Sequence, residues 1–317
     1  MQEIGGYIEL DTYKLPMLHS DGIKLNCGRN ALAYLIETRK ITKLLVPKFM
    51  CDSSDLVYKN YNIKVRRYNI DINFKPIDLD LKDDEWLYLV NFYGQLSNDY
   101  IKELKSKYER VILDNAQAYF QEPIPGIDTI YTCRKFFGVA DGAILYSDLL
   151  IERELEIDES FKRMNFLLGR FERTASEFYS EYAENNDIFF NEPIKRMSKL
   201  TENLLHGIDY SYVKEKRTEN FQYLHAALKN VNKLTLTIPE GAFMYPLLID
   251  NGADIRKKLQ AQKIYIPTLW PSVYDVCEEN ELEYNMAKNI LPLPVDQRYG
   301  REEMNMIIEN ILLIIKN

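Results

Sequence analysis

Between residues 43 and 147, short apolar runs alternate with segments of helical length, and this alternation constrains the fold more than any other feature of the chain. Runs beginning near 43, 63, 86, 110, 129 and 142 have the length and apolar content of buried strands, and the stretches Ser53 to Asn60 and Asp99 to Tyr108 between them read as helices. Strand and helix in turn over such a distance build a mostly parallel sheet flanked by helices, with right-handed crossovers. The expectation is therefore a large doubly wound α/β domain rather than an eight-repeat barrel.

Beyond Leu149 the character changes to a long, charged, amphipathic helix running to Asp187 and carrying Arg163, Arg170 and Arg173, which could meet a substrate phosphate, a solvated helix face being the simpler role for each. Pro193 to Leu205 and Tyr210 to Leu228 read as two helices broken at Gly207-Ile208-Asp209. That break divides the chain into a large domain over residues 1–208 and a smaller C-terminal α+β domain over residues 209–317. The smaller domain is expected to hold strands Ala242 to Ile249, Lys263 to Leu269 and Ile290 to Pro294, a helix Asp254 to Gln262, and a closing helix Glu302 to Ile315. Pro76 to Glu85 reads as an acidic loop.

A chain of 317 residues with 46% hydrophobic and 28% charged residues has the composition of a soluble globular protein. The net charge of −8 argues against a nucleic-acid or anionic-membrane partner. No apolar run approaches the roughly 18 residues of a membrane span, and the start MQEIGGYIELD lacks the pattern of a signal peptide. Cys27, Cys51, Cys133 and Cys277 show no CxxC spacing, which fits free thiols in a cytoplasmic setting. His19, His206 and His225 are far apart, so no metal-binding constellation is expected.

The chemistry concentrates in VILDNAQAYFQEPIPGIDTIYTCRKFFGVADGAILYS, Val111 to Ser147. One strand run ends on Asp114 and the next on Arg134 and Lys135, which places an acid and an amine at the carboxyl ends of strands, the edge where open α/β sheets bind ligands. Such a pair suits an aldehyde cofactor, the lysine carrying it and the acid holding its ring nitrogen; a structural ion pair is the simpler alternative. Gln117 stands three residues after the acid and would share its side if a helical turn begins there. Gly28, Arg29 and Asn30 open a helix and offer backbone amides and a guanidinium to a phosphate, although an ordinary capped helix with a solvated Arg29 explains that segment equally well. Phe49, just past a strand, is placed either to stack on a planar ring or to join the core.

The ordered series G-x-N-A-L, P-x-F, N-F-Y-G, I-L-D-N-A-Q-A and R-K-F-F-G-V-A-D-G-A resembles the DegT/DnrJ/StrS-type sugar aminotransferases, and the likeness runs nearly to the end of the chain, at I-L-P-L-P-V-D-Q-R-Y-G. The resemblance implies fold type I, the aspartate-aminotransferase fold, and pyridoxal 5'-phosphate as cofactor. It makes Lys135 the catalytic lysine that carries the cofactor and moves a proton, Asp114 the partner of the pyridine nitrogen, and Gln117 the partner of the phenolic oxygen. Phe49 would be the stacking aromatic, Gly28, Arg29 and Asn30 the phosphate site, and Thr132 the replacement for a serine before the lysine. Arg29 stands where the family usually has threonine, and Ala143 where it has a second glycine. The implied reaction moves an amino group from an amino acid donor such as glutamate to a keto-sugar, nucleotide-linked, in a homodimer with shared active sites. Tyr93, Arg134 and Trp270, with Tyr265, are the expected substrate contacts. A dehydratase-like reaction is the alternative with the same cofactor, which the presence of Lys135 disfavours, and a non-catalytic binding or regulatory relative is the alternative without catalysis.

Overall fold

In a computed structural model that describes residues 4–316, the chain folds around an eight-stranded sheet. The first part of the chain runs β1 (Ile23–Leu25), α1 (Gly28–Arg39), β2 (Lys43–Pro47), α2 (Asp55–Asn60), β3 (Lys64–Ile70), β4 (Pro76–Ile77), β5 (Trp86–Val90), α3 (Asn98–Tyr108), β6 (Val111–Asp114), β7 (Asp128–Thr132) and β8 (Ala143–Tyr146). Four helices follow, the short α4 (Asn165–Glu172), α5 (Tyr179–Ile188) and α6 (Lys199–Leu205) and the longer α7 (Tyr210–Leu228). The C-terminal part is β9 (Met244–Leu248), α8 (Gly252–Ala261), α9 (Val273–Val276), α10 (Leu282–Asn289), β10 (Ile290–Pro294) and α11 (Arg301–Lys316).

The large sheet has the order β1-β8-β7-β6-β5-β2-β3-β4. Its centre, β7-β6-β5-β2-β3, is parallel, while β8, β1 and β4 pair antiparallel at the two sides. The parallel strands β2, β5 and β6 are buried on both faces, so their sequences are nearly unbroken apolar runs such as LYLV and VIL. The chain passes from β2 outward to β3 and then returns to place β5 on the other side of β2. That reversal makes the carboxyl ends of β2 and β5 the topological switch point of the sheet, the place where ligands enter such folds.

A second core cluster forms where α7, α8 and α11 pack on the antiparallel pair β9–β10, with Phe221, Leu224, Tyr245, Leu247, Leu291, Leu293, Met304 and Ile311 at its centre. Three expectations fail here and in the segments before it. Pro193 to Leu205 is helical only from Lys199, and Arg196 instead makes β-bridges with Leu25 and Ile157. Lys263 to Leu269 is not a strand: Ile264 and Ile266 alternate inward as a strand would, but Pro267 lacks an amide donor and the run packs on the core without a ladder partner. The charged sequence after Leu149 is not one long helix. It is irregular up to α4, and a Thr174–Glu177 capping box starts a new turn between α4 and α5. The edge strands β1 and β4 are too short to show in the sequence, and β4 falls inside the stretch read as an acidic loop.

No helix among the described residues is long and apolar enough to cross a membrane. No group of histidine, cysteine, aspartate and glutamate among them could hold a metal ion.

Candidate active site

Helix α1 runs antiparallel to β7, and two contacts fix it. At its C-terminal end Arg39 makes a two-pronged pair with Asp128 at the start of β7, both hydrogen bonds 2.8 Å. At its N-terminal end a Cβ on Gly28 would stand 3.0 Å from Oγ1 of Thr132, at the end of β7. Only a glycine lets the hydroxyl approach the first turn this closely. The N-terminus of α1 thus arrives at the carboxyl edge of the sheet, beside Thr132 and one strand away from Asp114, which pairs in register with Ile130 of β7.

The amides of that first turn are left without an acidic or hydroxyl cap, Cys27 being the N-cap residue, with a buried thiol that burial pushes up to about 11. A neutral thiol does not compete for a site that favours an anion. Arg29 adds a guanidinium whose Nη1 is buried with no hydrogen-bond partner, its plane lying 4.2 Å above Phe190. Arg134 also keeps an unpartnered buried Nε, and donates to Asn186 while its guanidinium lies 4.9 Å from the centroid of Phe189. Burial pushes Arg134 below the usual arginine range. Amides without a side-chain cap and the Thr132 hydroxyl beside them fit a phosphate group. The side chains of the first turn face elsewhere: Arg29 donates from Nη2 to the Asn186 carbonyl at 3.4 Å, and the Asn30 side-chain amide donates to Asn26 and to the carbonyls of Glu192 and Pro193.

Asp114 ends β6, half-buried. Its Oδ2 accepts from the Tyr88 hydroxyl of the neighbouring β5 at 2.8 Å, and its Oδ1 accepts from the Ala116 amide at 2.8 Å. Gln117 is buried, and its Oε1 accepts from the Tyr93 amide at 2.8 Å, which fixes the left-handed turn of Tyr93 (φ 53°) after β5. Among the described residues, no hydrogen-bond partner faces the Gln117 amide nitrogen, which therefore remains available as a donor. Lys135 closes a short turn after β7 and is exposed, with Nζ 5.6 Å from the centroid of Phe243 and no ion-pair partner among the described residues.

The remaining expected residues are placed elsewhere. Phe49 is only 1% exposed, its ring set against Phe92 at 5.3 Å and edge-on to Trp270 at 4.7 Å. It is a core residue here, which was the alternative reading of its position. Tyr93 and Trp270 belong to the same aromatic cluster, their rings 6.2 Å apart, whereas Tyr265 turns outward. Arg134 points toward the helical layer of α5 and not toward Lys135.

Several residues at the site escaped the sequence reading. Tyr88 could have been found, because a tyrosine inside the buried run WLYLV must bring its hydroxyl to a partner. Asp141, in the ADG that follows the lysine, accepts from the amide and hydroxyl of Ser198 at 2.8 and 2.7 Å, and also from Thr201, so it ties the lysine turn to α6. Phe243 comes from a loop more than a hundred residues away and left no local signal.

No family model matches the chain, and no curated protein matches its sequence. Solved structures do match in fold. NtdA from Bacillus subtilis, with bound cofactor PMP, superposes with a TM-score of 0.66 at 15% identity over 93% of this chain and 73% of its own. A DegT DnrJ EryC1 StrS aminotransferase from Brucella abortus gives 0.62 at 13% identity, covering 92% of this chain and 85% of its own. The sugar aminotransferase CalS13 from Micromonospora echinospora gives 0.61 at 12% identity over 91% and 86%. The chain therefore has the fold of these aminotransferases, fold type I of the pyridoxal phosphate enzymes.

Proposed function

We propose that the chain is a pyridoxal phosphate-dependent aminotransferase of the DegT/DnrJ/StrS type, taking the amino group of an amino acid donor such as glutamate and passing it to a keto-sugar, nucleotide-linked. The observation that carries this reading is the exposed, unpaired Lys135 at the sheet edge that also holds Asp114 and the uncapped start of α1. The fold shared with a PMP-bound aminotransferase and a sugar aminotransferase supports it.

The residues present fit the cofactor. The amides of Gly28, Arg29 and Asn30 with the Thr132 hydroxyl would hold its phosphate, Asp114 its ring nitrogen, Gln117 its phenolic oxygen, and Lys135 its aldehyde carbon. When bound, pyridoxal phosphate supplies an electrophilic carbonyl and an electron sink for the charge left when a Cα proton departs. The protein contributes the rest. The Asp114 carboxylate, fixed by Tyr88 and the Ala116 amide, would hold a proton at the ring nitrogen. Lys135, as a free amine, would take the proton from the Cα of the amino acid donor and carry it as an ammonium until it is given back.

A homodimer with shared sites is part of the proposal. Ile4, Tyr7, Ile8 and Phe171 are each more than nine-tenths exposed, apolar surface that a second copy would cover. The cytoplasm is the proposed setting, in keeping with four free thiols.

Purified protein supplied with pyridoxal phosphate should be yellow, lose the colour in Lys135→Ala, and convert glutamate stoichiometrically to its keto acid. A wild type that takes up no pyridoxal phosphate overturns the reading.

A further inference from the structure

Arg217, on α7, is 2% exposed and has no carboxylate partner. Its Nε donates to Oε1 of Gln297 at 2.8 Å, its Nη1 to the carbonyls of Ala242 at 2.9 Å and Phe243 at 3.4 Å, and its Nη2 to the carbonyl of Phe136 at 3.1 Å. The guanidinium also lies 4.7 Å from the centroid of the Phe136 ring. The carboxylate of Asp296 acts on Arg217 through its charge alone, its hydrogen bonds going to Arg298. Burial pushes Arg217 down to about 10, so it remains charged at neutral pH.

Burying a cation on neutral acceptors costs stability that an apolar residue of similar size would not. What this guanidinium holds explains why it is there. Phe136 is the residue after Lys135, and its carbonyl receives a second hydrogen bond from Nε2 of Gln297 at 2.9 Å. Phe243 supplies the ring beside Lys135 Nζ. The peptide that follows the lysine and the backbone carbonyl of the residue whose ring stands beside its amine are both bonded by the same side chain, and Gln297, half-buried after β10, closes the triangle. Both donors come from the C-terminal part of the chain, while the lysine turn belongs to the large sheet.

We propose that Arg217 and Gln297 are positioning residues for Lys135, locking the Phe136 carbonyl and Phe243 so that the amine is held where the cofactor's aldehyde must meet it. This rests on reading Lys135 as the cofactor lysine. The clamp predicts a split between two cofactor forms. Pyridoxal phosphate bonds to the lysine; pyridoxamine phosphate carries an amine in place of the aldehyde and does not.

The experiment measures the affinity of full-length protein for each form, in wild type, Arg217→Met and Gln297→Leu. Pyridoxal phosphate should bind about fivefold or more weakly in each variant, the equilibrium equivalent of one ordinary hydrogen bond, with pyridoxamine phosphate affinity unchanged. Competitive acetylation of the cofactor-free protein, read peptide by peptide, should show the reactivity of Lys135 changed relative to Lys24 and Lys43 in the same variants. If Arg217→Met does not fold, Gln297→Leu carries the test, because it leaves the guanidinium in place. Equal weakening of both forms with unchanged Lys135 reactivity overturns the clamp, as does no change in either measurement. A wild type that binds neither form overturns the assignment of the cofactor site itself, and is seen before any variant is compared.

Discussion

The hydrogen bond from Tyr88 to Asp114 gives the sharpest test of how the site is built. Tyr88→Phe removes one hydroxyl and leaves a ring that is 4% exposed in its place, so packing is conserved. The bond lost is 2.8 Å long and ends on a carboxylate, and hydrogen bonds to charged groups contribute about 1.5–3 kcal/mol. Asp114 is half-buried, and its other oxygen keeps the Ala116 amide, so water replaces part of the loss and the lower end applies, about 1.5 kcal/mol. A double-mutant cycle isolates the term: Tyr88→Phe, Asp114→Ala and the double variant, each unfolded in urea at pH 7 without cofactor. The coupling energy should be about 1.5 kcal/mol. Pyridoxal phosphate affinity should fall about tenfold in Tyr88→Phe, the equivalent of ~1.4 kcal/mol, and should not fall further when the change is made in the Asp114→Ala background. A coupling below about 0.3 kcal/mol, the level at which independent sites add, would refute the claim that Tyr88 orients the acid.

Two further outcomes follow from buried charges away from the cofactor. Arg39→Met should destabilise the protein by about 3 kcal/mol in urea unfolding, because Asp128 is 4% exposed and would be left as an unpaired carboxylate; adding Asp128→Asn should recover part of that loss. His19 is buried between Tyr119, Tyr131 and Tyr146, its Nε2 2.7 Å from the Tyr119 carbonyl, and burial lowers its pKa below the ordinary value. The folded protein therefore refuses a proton that the unfolded chain accepts. The stability His19 contributes is fully present above pH ~6.5 and is lost as pH falls from there toward the folded value, with a slope of at most about 1.4 kcal/mol per pH unit. In His19→Gln the acid limb of the unfolding free energy below pH 6.5 should be flatter than in wild type; an unchanged slope would show that His19 is not the titrating group.

The central strands β2, β5 and β6 were legible because each is buried on two faces and so writes itself as a continuous apolar run, WLYLV and VILD being the clearest. Elements that depend on a distant partner were not. β1 has three residues and exists only because β8 offers its edge, and Lys263 to Leu269 has the alternation of a strand without a neighbour to pair with. The segment from Leu149 to Asp187 carries helix-forming residues but no sustained apolar stripe to bury.

The same division runs through the site. Asp114, Gln117, Thr132 and Lys135 lie within a short stretch, and strand ends alone bring them to one edge, so the sequence carried enough to place them. What orients them arrives from outside that stretch: the Tyr88 hydroxyl from the adjacent strand, the Phe243 ring from the loop before β9, and the Arg217 guanidinium from α7. A residue's type and spacing state which atom it can offer; the direction of that atom is set by contacts across the fold. Phe49 makes the point in reverse. Its place after β2 suits a stacking role, yet Trp270, more than two hundred residues later, occupies its edge and closes it into the core. The side chains the proposed reaction would use therefore stand close together in the sequence, while the contacts that orient them come from β5 and from the C-terminal third of the chain.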